Sequence, residues 1–481
     1  MLPAAQWLRL LRQIETSGEA MSGICRSDRL KMGRRGFLAG LGLCLSGTPV
    51  LALTQVADLR GSIDGQDLGL VPDRPEDQSA AMQKAIDRAV ARGKALFLPA
   101  GSYPVSNLDL PSGAMIVGVP GRTQLVHLGG GGVLMGANGA SRIRLEGLSF
   151  DGGNKMLGEG SFGLLHFTGV TNLGMTDCEI TGSSRSGLAL DRCSGHVERC
   201  VISGAAEAGI RSVEGAGLTF SGNTITGCAN GGLLVLRWTQ GEDGTLITGN
   251  RISAIAAKAG GTGQHGNGIN VFRAGGVIIA NNHVSDCAFS AIRANSASNV
   301  QISGNTCLRS GETAVYSEFS FEGAVISGNL VDGGTMGISV ANFQQGGRLA
   351  SVTGNIVRNI RLDGPYPEEV AGFGIGVAVE ADTVVSGNVV EGAPKYGILA
   401  GWGPYMRDLL IAQNILRDCP LGIAVTVVEG AGAAVIQGNI ISGARRGAIV
   451  GHRWREAVTG DLAGASTVPR HLAIAGNTVS G

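Results

Sequence analysis

A group of residues in the middle of the chain combines cationic, acidic, basic and amide side chains. The candidate catalytic residues are His265, Arg293, Tyr316 and Glu318, and the candidate substrate-binding residues are Arg211, Trp238, Asn270, Arg273, Asn295 and Trp402. An arginine can bind a carboxylate through two hydrogen bonds and stabilise an enolate-like negative charge. Tyrosine, histidine and glutamate can act as acid or base at the carbon next to that carboxylate. The set therefore indicates chemistry on a uronate; the alternative interpretation is that these are ordinary solvated residues on a strand surface.

Other kinds of chemistry find less support in the sequence. Hydrolysis of a glycosidic bond needs two carboxylates a fixed distance apart, and Glu318, Glu368, Glu369 and Glu380 form no clear outward pair. The seven histidines show no spacing typical of metal ligands, and no cofactor motif is identifiable. The 38 basic and 38 acidic residues give a formal net charge of zero. Neither nucleic acid nor an acidic membrane surface is therefore an expected partner.

The element that must hold these residues in place is a repeat. A Ser-Gly-Asn or Thr-Gly-Asn tripeptide, or a close variant of it, returns every 23 to 38 residues. Its asparagines are Asn223, Asn250, Asn282, Asn305, Asn329, Asn355, Asn388, Asn414, Asn439 and Asn477. Self-similarity at such a period is typical of solenoids. Leu148, Cys178 and Cys200 occupy the asparagine position in earlier repeats, which brings the count to about thirteen coils.

Short apolar segments between the asparagine tripeptides predict an all-β structure. Segments such as Gly268-Ile-Asn-Val271 and Gly337-Ile-Ser-Val340 alternate with period two, as strands do. No crossover helix pattern lies between them, so the next coil of the same chain must supply each parallel partner. That arrangement is a single-stranded parallel β-helix. The 80 glycines suit the sharp corners of such coils, and stacked asparagines are expected to form a hydrogen-bonded ladder.

The alternation within these strands predicts which side chains face outward. Counting the second and fourth residues after each glycine as outward gives two polar columns, Arg211, Asn270, Arg293 and Tyr316 in the first and Asn295 and Glu318 in the second. The same columns elsewhere are expected to hold Leu165, Ala189, Leu234, Ser339, Gly376, Leu399 and Ala424. We expect one exposed patch, in which Arg293→Ala changes the free energy of unfolding by no more than ~0.5 kcal/mol.

Five long insertions are expected to wall this patch, because long loops on a rigid scaffold often carry binding residues. They are residues 237–245, 255–267, 360–373, 401–408 and 452–471. Trp238, Tyr366, Trp402, Tyr405 and Trp454 lie in or beside them. Aromatic side chains held in loops can stack on sugars or can simply cover the edges of the coils, and the sequence favours neither interpretation.

The chain divides into three segments by pattern. Residues 1–53 form a leader in which Arg34 and Arg35 precede a short apolar run, which is typical of a twin-arginine export signal. The alternative is a membrane anchor, for which the run is short and rich in glycine. Residues 54–130 hold the first coils and a helix over 75–93 that caps them, and residues 131–481 hold the repeats. Export by the Tat pathway, without a stable membrane anchor, would place the protein in the periplasm or outside the cell.

Cysteine usage says little about function. Seven cysteines follow the leader. Cys178 and Cys200 fall on adjacent coils, at a separation a disulfide could span. The odd count favours mostly reduced, buried thiols that act as small apolar side chains.

Residues near the start of the repeats resemble a known group of proteins. The helix, followed by Leu96-Phe-Leu-Pro-Ala-Gly-Ser-Tyr103 and Leu110-Pro-Ser-Gly-Ala-Met-Ile-Val-Gly118, is similar to the opening of pectate-lyase-superfamily proteins. With the twin arginine and the Gly-Asn repeats, residues 33–481 resemble a bacterial family of Tat-translocated, uncharacterised β-helix repeat proteins. The resemblance implies a right-handed β-helix, export and, by analogy only, action on carbohydrate. The catalytic patterns of polygalacturonases, pectate lyases and alginate epimerases are absent from the sequence.

The sequence thus favours an exported carbohydrate-active enzyme, of lyase or epimerase type, that acts on an acidic polysaccharide. A non-catalytic glycan-binding or cell-envelope scaffold protein that uses the same groove is the alternative. A carrier of a metal or cofactor is a third interpretation, motivated only by the Tat export of folded cargo. The expected partners are a polysaccharide or oligosaccharide and, during export, the Tat translocase.

Overall fold

Three parallel sheets wind around one apolar interior. The computed structural model describes residues 61–261, 263–342, 347–366 and 372–481. In this part of the chain successive strands rotate through the three sheets and form a right-handed parallel β-helix of about fourteen coils. Each strand pairs in parallel with the strand one coil away, except that the last two strands of the third sheet form an antiparallel pair. The predicted fold class is confirmed, with about one coil more than the repeat count.

The strands are short, and each sheet runs the length of the solenoid. Sheet 1 has sixteen strands: β1 (Ile63–Asp64), β2 (Leu96–Phe97), β5 (Met115–Val117), β8 (Arg144–Glu146), β11 (Leu173–Thr176), β14 (Gly195–Glu198), β17 (Thr219–Ser221), β20 (Leu246–Thr248), β23 (Ile278–Ala280), β26 (Val300–Ser303), β29 (Glu322–Ser327), β32 (Arg348–Thr353), β35 (Ala381–Ser386), β38 (Arg407–Ala412), β41 (Ala434–Gln437) and β45 (Leu472–Ala475). Sheet 2 has fifteen: β3 (Gly101–Val105), β6 (Thr123–His127), β9 (Ser149–Asp151), β12 (Glu179–Thr181), β15 (Val201–Ser203), β18 (Thr224–Thr226), β21 (Arg251–Ile255), β24 (His283–Cys287), β27 (Thr306–Leu308), β30 (Leu330–Gly334), β33 (Ile356–Ile360), β36 (Val389–Glu391), β39 (Ile415–Arg417), β42 (Ile440–Ser442) and β46 (Thr478–Ser480). Sheet 3 also has fifteen: β4 (Leu108–Asp109), β7 (Met135–Asn138), β10 (Gly163–Thr168), β13 (Ser186–Asp191), β16 (Ala208–Val213), β19 (Gly231–Glu242), β22 (Asn267–Gly275), β25 (Ile292–Asn295), β28 (Thr313–Glu318), β31 (Met336–Ala341), β34 (Ile375–Val379), β37 (Tyr396–Ala400), β40 (Leu421–Thr426), β43 (Ile449–Arg453) and β44 (Glu456–Asp461).

A helix covers the start of the solenoid, as the sequence predicts. Helix α1 (Ser79–Ala91) buries Met82, Ala85, Ile86 and Ala89, which lie at helical spacing along one face. A solenoid needs such a cap because its first coil has no neighbour on one side. Two single-turn 3-10 helices, Gln66–Leu68 and Gly403–Tyr405, lie in loops. None of the helices in the described residues is long and apolar enough to cross a membrane.

The corner between sheets 1 and 2 carries the repeated asparagines. Nine of the ten asparagines, all except Asn477 in the last coil, are buried. In these nine, both the backbone N–H and Nδ2 donate to Oδ1 of the asparagine in the next coil, as Asn305 does to Asn329 at 2.9 and 3.0 Å. Nδ2 also donates to a main-chain carbonyl of the preceding coil, which for Asn305 is that of Ile279 at 2.9 Å. The residue before the asparagine makes the turn in the left-handed region, with φ of 65° at Gly304, and it is a glycine except at Asn281 and Gln413. The predicted ladder is confirmed, and it satisfies groups that would be costly to bury unbonded.

The cysteines of the described residues are free thiols, and the leader is not among those residues. The seven cysteines of the described residues are all buried and unpaired. Cys178 and Cys200 therefore form no disulfide. The prediction of reduced, buried thiols is confirmed for these seven cysteines. The twin-arginine leader lies outside the described residues, and the predicted segment boundaries stay predictions.

Candidate functional site

The outward face of sheet 3 brings the predicted site residues into two columns. The backbone pairing aligns the first column as His166, Ala189, Arg211, Leu234, Asn270, Arg293, Tyr316, Ser339, Ala378, Leu399, Ala424 and Val450. The second column runs Thr168, Asp191, Val213, Leu236, Phe272, Asn295, Glu318 and Ala341. All six polar positions that the sequence assigns to these columns lie where they are predicted to lie.

Two other positions of the predicted columns are wrong. Leu165 pairs with Leu188 and is buried in the interior, while His166 faces outward. The cause is that Gly163 pairs with Ser186 and not with Gly187, so counting from Gly163 shifts the pattern by one residue. In β34 the outward residue is Ala378 rather than Gly376, because the segment contains two glycines and only the second takes the usual place. The error at Leu165 leaves His166 out of the predicted column, because a one-residue slip exchanges the two faces of a strand.

Arg293 and Glu318 are the centre of the first polar cluster on this face. Arg293 Nε donates to Glu318 Oε1 at 2.6 Å, and Asn295 Nδ2 donates to the same oxygen at 2.7 Å. The Arg293 guanidinium lies over the Tyr316 ring, 5.2 Å from its centroid. We call Arg293, Asn295, Glu312, Tyr316 and Glu318 the Arg293 cluster. Neighbouring coils thus bring three of the four predicted catalytic residues into contact.

Glu312 is a member of this cluster that the sequence does not reveal. It lies just before β28, it is buried, and its carboxylate accepts hydrogen bonds from Ser290 Oγ at 3.4 Å and from the Tyr366 hydroxyl. Tyr366 stands 54 residues further along the chain. It packs between Phe289 and Phe373, with ring centroids 6.4 and 5.3 Å away. No periodic pattern marks either residue, so only the fold brings them together.

The burial of the Arg293 cluster contradicts the expected exposed patch. Arg293 is 6% exposed and Glu318 is 1% exposed. The cover comes from two of the predicted insertions: Gly263 packs directly against Arg293 Nη1, and Tyr366 closes over Glu312. The expectation that Arg293→Ala is nearly neutral for stability is therefore based on a wrong premise. Removing one partner of a buried ion pair strands the other charge and typically costs several kcal/mol.

The charges in the Arg293 cluster set the protonation of their neighbours. Burial raises the pKa of Glu312, and the nearby Arg293 charge only partly opposes this. Burial raises the pKa of Tyr316 well above its ordinary value, and the Glu318 carboxylate raises it further. Burial alone would lower the pKa of Arg293, but Glu318 and Glu312 reverse that effect. Glu312 and Tyr316 are therefore biased toward their protonated forms.

A second polar cluster lies nearer the start of the solenoid. His166 Nε2 and Asp191 Oδ2 are 2.9 Å apart, and Arg211 Nη1 donates to Asp191 Oδ1 at 2.9 Å. The Arg211 guanidinium also lies over the Phe162 ring, 4.5 Å from its centroid. Burial would raise the pKa of Asp191, but the hydrogen bond from His166 and the charge of Arg211 outweigh it and lower that pKa. We call His166, Asp191, Arg211 and Phe162 the His166 cluster.

The single patch expected from the sequence is therefore two clusters. Leu234 and Asn270 separate Arg211 from Arg293 in the first column, which places their backbones about 14 Å apart at ~4.8 Å per strand. Arg211 is engaged by Asp191 and belongs with His166. A cleft of about 340 Å³ borders the His166 cluster. Asn270, which is buried, lies in the column directly before Arg293.

Trp238 and Arg273 lie at the corner that leads from sheet 3 to sheet 1. Arg273 Nη1 donates to the Trp238 carbonyl, and the Trp238 amide donates to Glu214 Oε1 at 2.8 Å. The Arg273 guanidinium rests over Phe272, 4.8 Å from the ring centroid. These hydrogen bonds hold the end of β19 against β22. None of them reaches the Arg293 cluster.

His265 and Trp402 complete the predicted set. His265 lies in the insertion that covers Arg293, two residues after Gly263, and burial lowers its pKa. No hydrogen bond described for this part of the structure joins its ring to the Arg293 cluster. Trp402 follows β37 and forms an edge-to-face pair with Trp454, with ring centroids 5.5 Å apart. Since β37 lies three coils beyond β28, this pair is remote from Glu318.

The residues weighed for other chemistry are dispersed. Glu380 Oε2 accepts a hydrogen bond from the Asn342 amide at 2.7 Å, and Glu368 and Glu369 lie outside the described residues. In the part of the chain that the structure describes, no group of three or more His, Cys, Asp and Glu side chains is arranged to hold a metal ion.

Comparison with known proteins identifies the repeats. The family model described as the right handed beta helix region matches residues 122–252 and 238–406. No curated protein matches the chain. Among solved structures, PfbA, a surface adhesin of Streptococcus pneumoniae, is 12% identical over 76% of this chain and 93% of its own, with a TM-score of 0.49. The mannuronan C-5 epimerase AlgE4 A-module of Azotobacter vinelandii is 16% identical over 86% of this chain and 100% of its own, with a TM-score of 0.44. The Dettilon tailspike protein gp208 is 17% identical over 80% of this chain and 67% of its own, with a TM-score of 0.43.

Proposed function

Since this chain belongs to the right-handed β-helix region family, we propose that it is an exported protein that acts on an acidic polysaccharide, with the Arg293 cluster as its catalytic centre. The family sets the scaffold and leaves the reaction open, because one fold can host many functions. The support for this proposal comes from the cluster itself.

The observation that carries the proposal is a costly set of charges that the fold does not need. In the three coils after Tyr316, the first column holds Ser339, Ala378 and Leu399. A solenoid coil therefore closes equally well with small or apolar side chains at this position. Burying Arg293 and two carboxylates costs free energy, and groups with perturbed pKa values cluster at functional sites.

The protonation states of Tyr316, in the Arg293 cluster, and of His265, in the insertion that covers it, favour proton transfer at a carbon next to a carboxylate. Tyr316 is the partly exposed member, and its raised pKa keeps its hydroxyl protonated, so it serves as the acid. The lowered pKa of His265 keeps its imidazole neutral, so it serves as the base. Arg293, with Asn295 beside it, supplies the positive charge that stabilises an enolate-like state.

Two reactions follow from this assignment. In both, His265 takes the C5 proton of a uronate residue. For epimerisation, Tyr316 returns a proton to the opposite face of C5. For elimination, the C4–O bond breaks, a C4=C5 double bond forms, and Tyr316 protonates the leaving oxygen. Asn270, Arg273 and Trp238 would bind the adjoining sugars, and Trp402 a more distant one.

The test uses purified protein with alginate, pectate and other uronate polymers. Elimination is read from the ultraviolet absorbance of the unsaturated product, and epimerisation from exchange of the C5 proton with deuterated solvent. Tyr316→Phe removes the proton but keeps the ring over Arg293, so we expect turnover to fall by ~10²-fold or more. Ser339→Ala, in the next coil of the same column, is the matched control. Full activity of Tyr316→Phe, or no turnover of any uronate polymer, would reject the proposed reaction.

A non-catalytic glycan-binding protein is the second candidate. The burial of Arg293 and Glu318 favours it, because each charge is already neutralised by the other. Glycan would then bind at exposed aromatic residues such as Trp454, which is 45% exposed and touches Trp402. In this case Trp402→Ala and Trp454→Ala weaken binding of a uronate polymer, while Tyr316→Phe leaves it unchanged and no product forms.

Export by the Tat translocase to the periplasm or the cell exterior is part of the proposal. Its support is the pair Arg34 and Arg35 before an apolar run. Replacing both by lysine is expected to leave an uncleaved precursor in the cytoplasm, detected by fractionation and immunoblotting. Unchanged export of that double variant would indicate another route or none.

A further inference from the structure

We propose that the cleft beside the His166 cluster is a separate binding site for a single uncharged sugar residue. Its volume of about 340 Å³ falls at the small end of the range of ligand pockets. The polar residues that line it are Asn107, Asp109, Asn138, Ser161, His166 and Thr168. Amide and hydroxyl groups both donate and accept hydrogen bonds, as sugar hydroxyls do. The proposal rests on the proposed glycan function but uses none of the residues of the Arg293 cluster.

His166 is held in one orientation for this role. Its Nε2 is fixed by Asp191 at 2.9 Å, and Asp191 is in turn fixed by Arg211 at 2.9 Å. Phe162 packs edge-to-face on the imidazole, with ring centroids 5.6 Å apart. Nδ1 is the ring nitrogen that no described hydrogen bond occupies, and a sugar hydroxyl can either donate to it or accept from it. An oriented imidazole with one uncommitted nitrogen is suited to a ligand hydroxyl.

The walls of the cleft are formed before any ligand arrives. Asp109 in β4 is fixed to Gln83 of helix α1, whose side chain bonds both the Asp109 amide at 2.9 Å and its carbonyl at 2.7 Å. Asn107 Oδ1 accepts the Val133 amide at 3.2 Å. Strands β4, β7 and β10 pair through the cleft floor. Such pre-organisation lowers the entropic cost of binding a small ligand.

Charge decides between a neutral sugar and a uronate. Asp109 is the one acidic or basic side chain, apart from His166, among the residues that line the cleft. The guanidinium of the adjoining His166 cluster, that of Arg211, is committed to Asp191 and to the Phe162 ring. A uronate carboxylate would meet the Asp109 charge without a cation to pair with, which disfavours it. The cleft therefore favours an uncharged sugar, unlike the acidic substrate proposed for the Arg293 cluster. The two sites lie roughly 24 Å apart at ~4.8 Å per coil.

The test measures binding of the methyl glycosides of glucose, galactose, N-acetylglucosamine and glucuronic acid to the whole protein by calorimetry. A second readout is protection of His166 from diethyl pyrocarbonate, mapped by mass spectrometry. We expect at least one neutral glycoside to bind at millimolar concentration and to protect His166. Asn138→Ala and Asp109→Asn, both at exposed positions, should each weaken it by about fivefold, as for the loss of one hydrogen bond. Ser339→Ala, on the same sheet, should bind it as the wild type does.

The results separate this proposal from the catalytic one. No binding of any neutral glycoside, binding that leaves His166 unprotected, or affinity unchanged in both cleft variants would overturn the cleft site. Preference for the glucuronide would overturn the assigned ligand class. Tyr316→Phe should lower turnover of uronate polymers and leave glycoside binding intact, so failure of the cleft site is distinguished from failure of the catalytic proposal.

Discussion

The two polar clusters on sheet 3 bury charge in opposite ways. In the His166 cluster one carboxylate, Asp191, lies between an arginine and a histidine, and its pKa is lowered. In the Arg293 cluster one guanidinium serves two carboxylates, and the pKa of the second, Glu312, is raised. The first cluster borders a cleft, and the second lies under two insertions.

The difference shows that the balance of charges, rather than the residue types, decides what a cluster does. A carboxylate with a surplus of donors stays ionised and serves as a fixed support, as Asp191 does for His166. A carboxylate left over after ion pairing tends to keep its proton, as Glu312 does. The stabilities that Asp191 and Glu312 contribute should therefore depend on pH with opposite signs.

The largest expected effect comes from breaking the buried ion pair. Glu318→Ala leaves Arg293 charged and without its partner in the interior, so we expect a loss of about 3–5 kcal/mol in the free energy of unfolding. Denaturant unfolding measures it. Glu322→Ala breaks the exposed pair with Arg348 and serves as the control, with an expected loss of ~1 kcal/mol or less. Equal losses in the two variants would show that the cluster is not buried in solution.

The His166 cluster should lose less, and only where Asp191 is ionised. Asp191→Asn removes a charge that two donors stabilise, so we expect a loss of about 1–2 kcal/mol near neutral pH. Because the folded-state pKa of Asp191 is lowered, its contribution is present above the unfolded value of ~3.9 and is lost as pH falls through the folded value. Denaturation of both proteins across the acid range should show their stabilities converging. A constant difference down to the lowest pH would contradict this assignment.

Glu312 should give the opposite pH dependence. Its folded-state pKa is raised, so the stability that it contributes is present below its unfolded value of ~4.3 and is lost as pH rises through the folded value. Glu312→Gln keeps the shape and cannot ionise, so its stability relative to wild type should increase over that window. Lys84→Gln, on the cap helix, provides a control for general charge effects. A relative stability of Glu312→Gln that falls with rising pH would contradict the raised pKa.

The smallest expected effect is the coupling between the clusters. Arg211 and Glu318 lie four coils apart and share no partner, so the double variant Arg211→Ala with Glu318→Ala should be additive within ~0.5 kcal/mol. Within one cluster, Arg293→Ala with Glu318→Ala should be strongly non-additive. Coupling across the clusters as large as that within one would show that sheet 3 carries a single network.

The sequence predicts what is local and periodic in this molecule. The asparagine corner is set by a tripeptide, and the outward positions of Arg293, Tyr316 and Glu318 follow from alternation within one strand. His166 lies 25 residues before Asp191, about the length of one coil, and this spacing is a signal that could have revealed it. It is missed because Gly163, from which the outward positions in β10 are counted, lies one residue out of register. The burial of Arg293 and the Tyr366–Glu312 contact come from insertions folded over distant coils. Strand periodicity carries no information about such contacts.

The asparagine ladder has a consequence for how proteins of this kind can change over evolutionary time. Each rung presents the same acceptor and the same donors to its two neighbours, as Asn282, Asn305 and Asn329 show. Gain or loss of one whole repeat therefore leaves every remaining rung satisfied, whereas gain or loss of part of a repeat does not. Duplication of a repeat between β16 and β22 would move the two clusters apart by about one strand spacing, ~4.8 Å, and alter neither. The number of repeats therefore sets the distance between the two clusters, and natural selection can change that distance without changing the residues of either cluster.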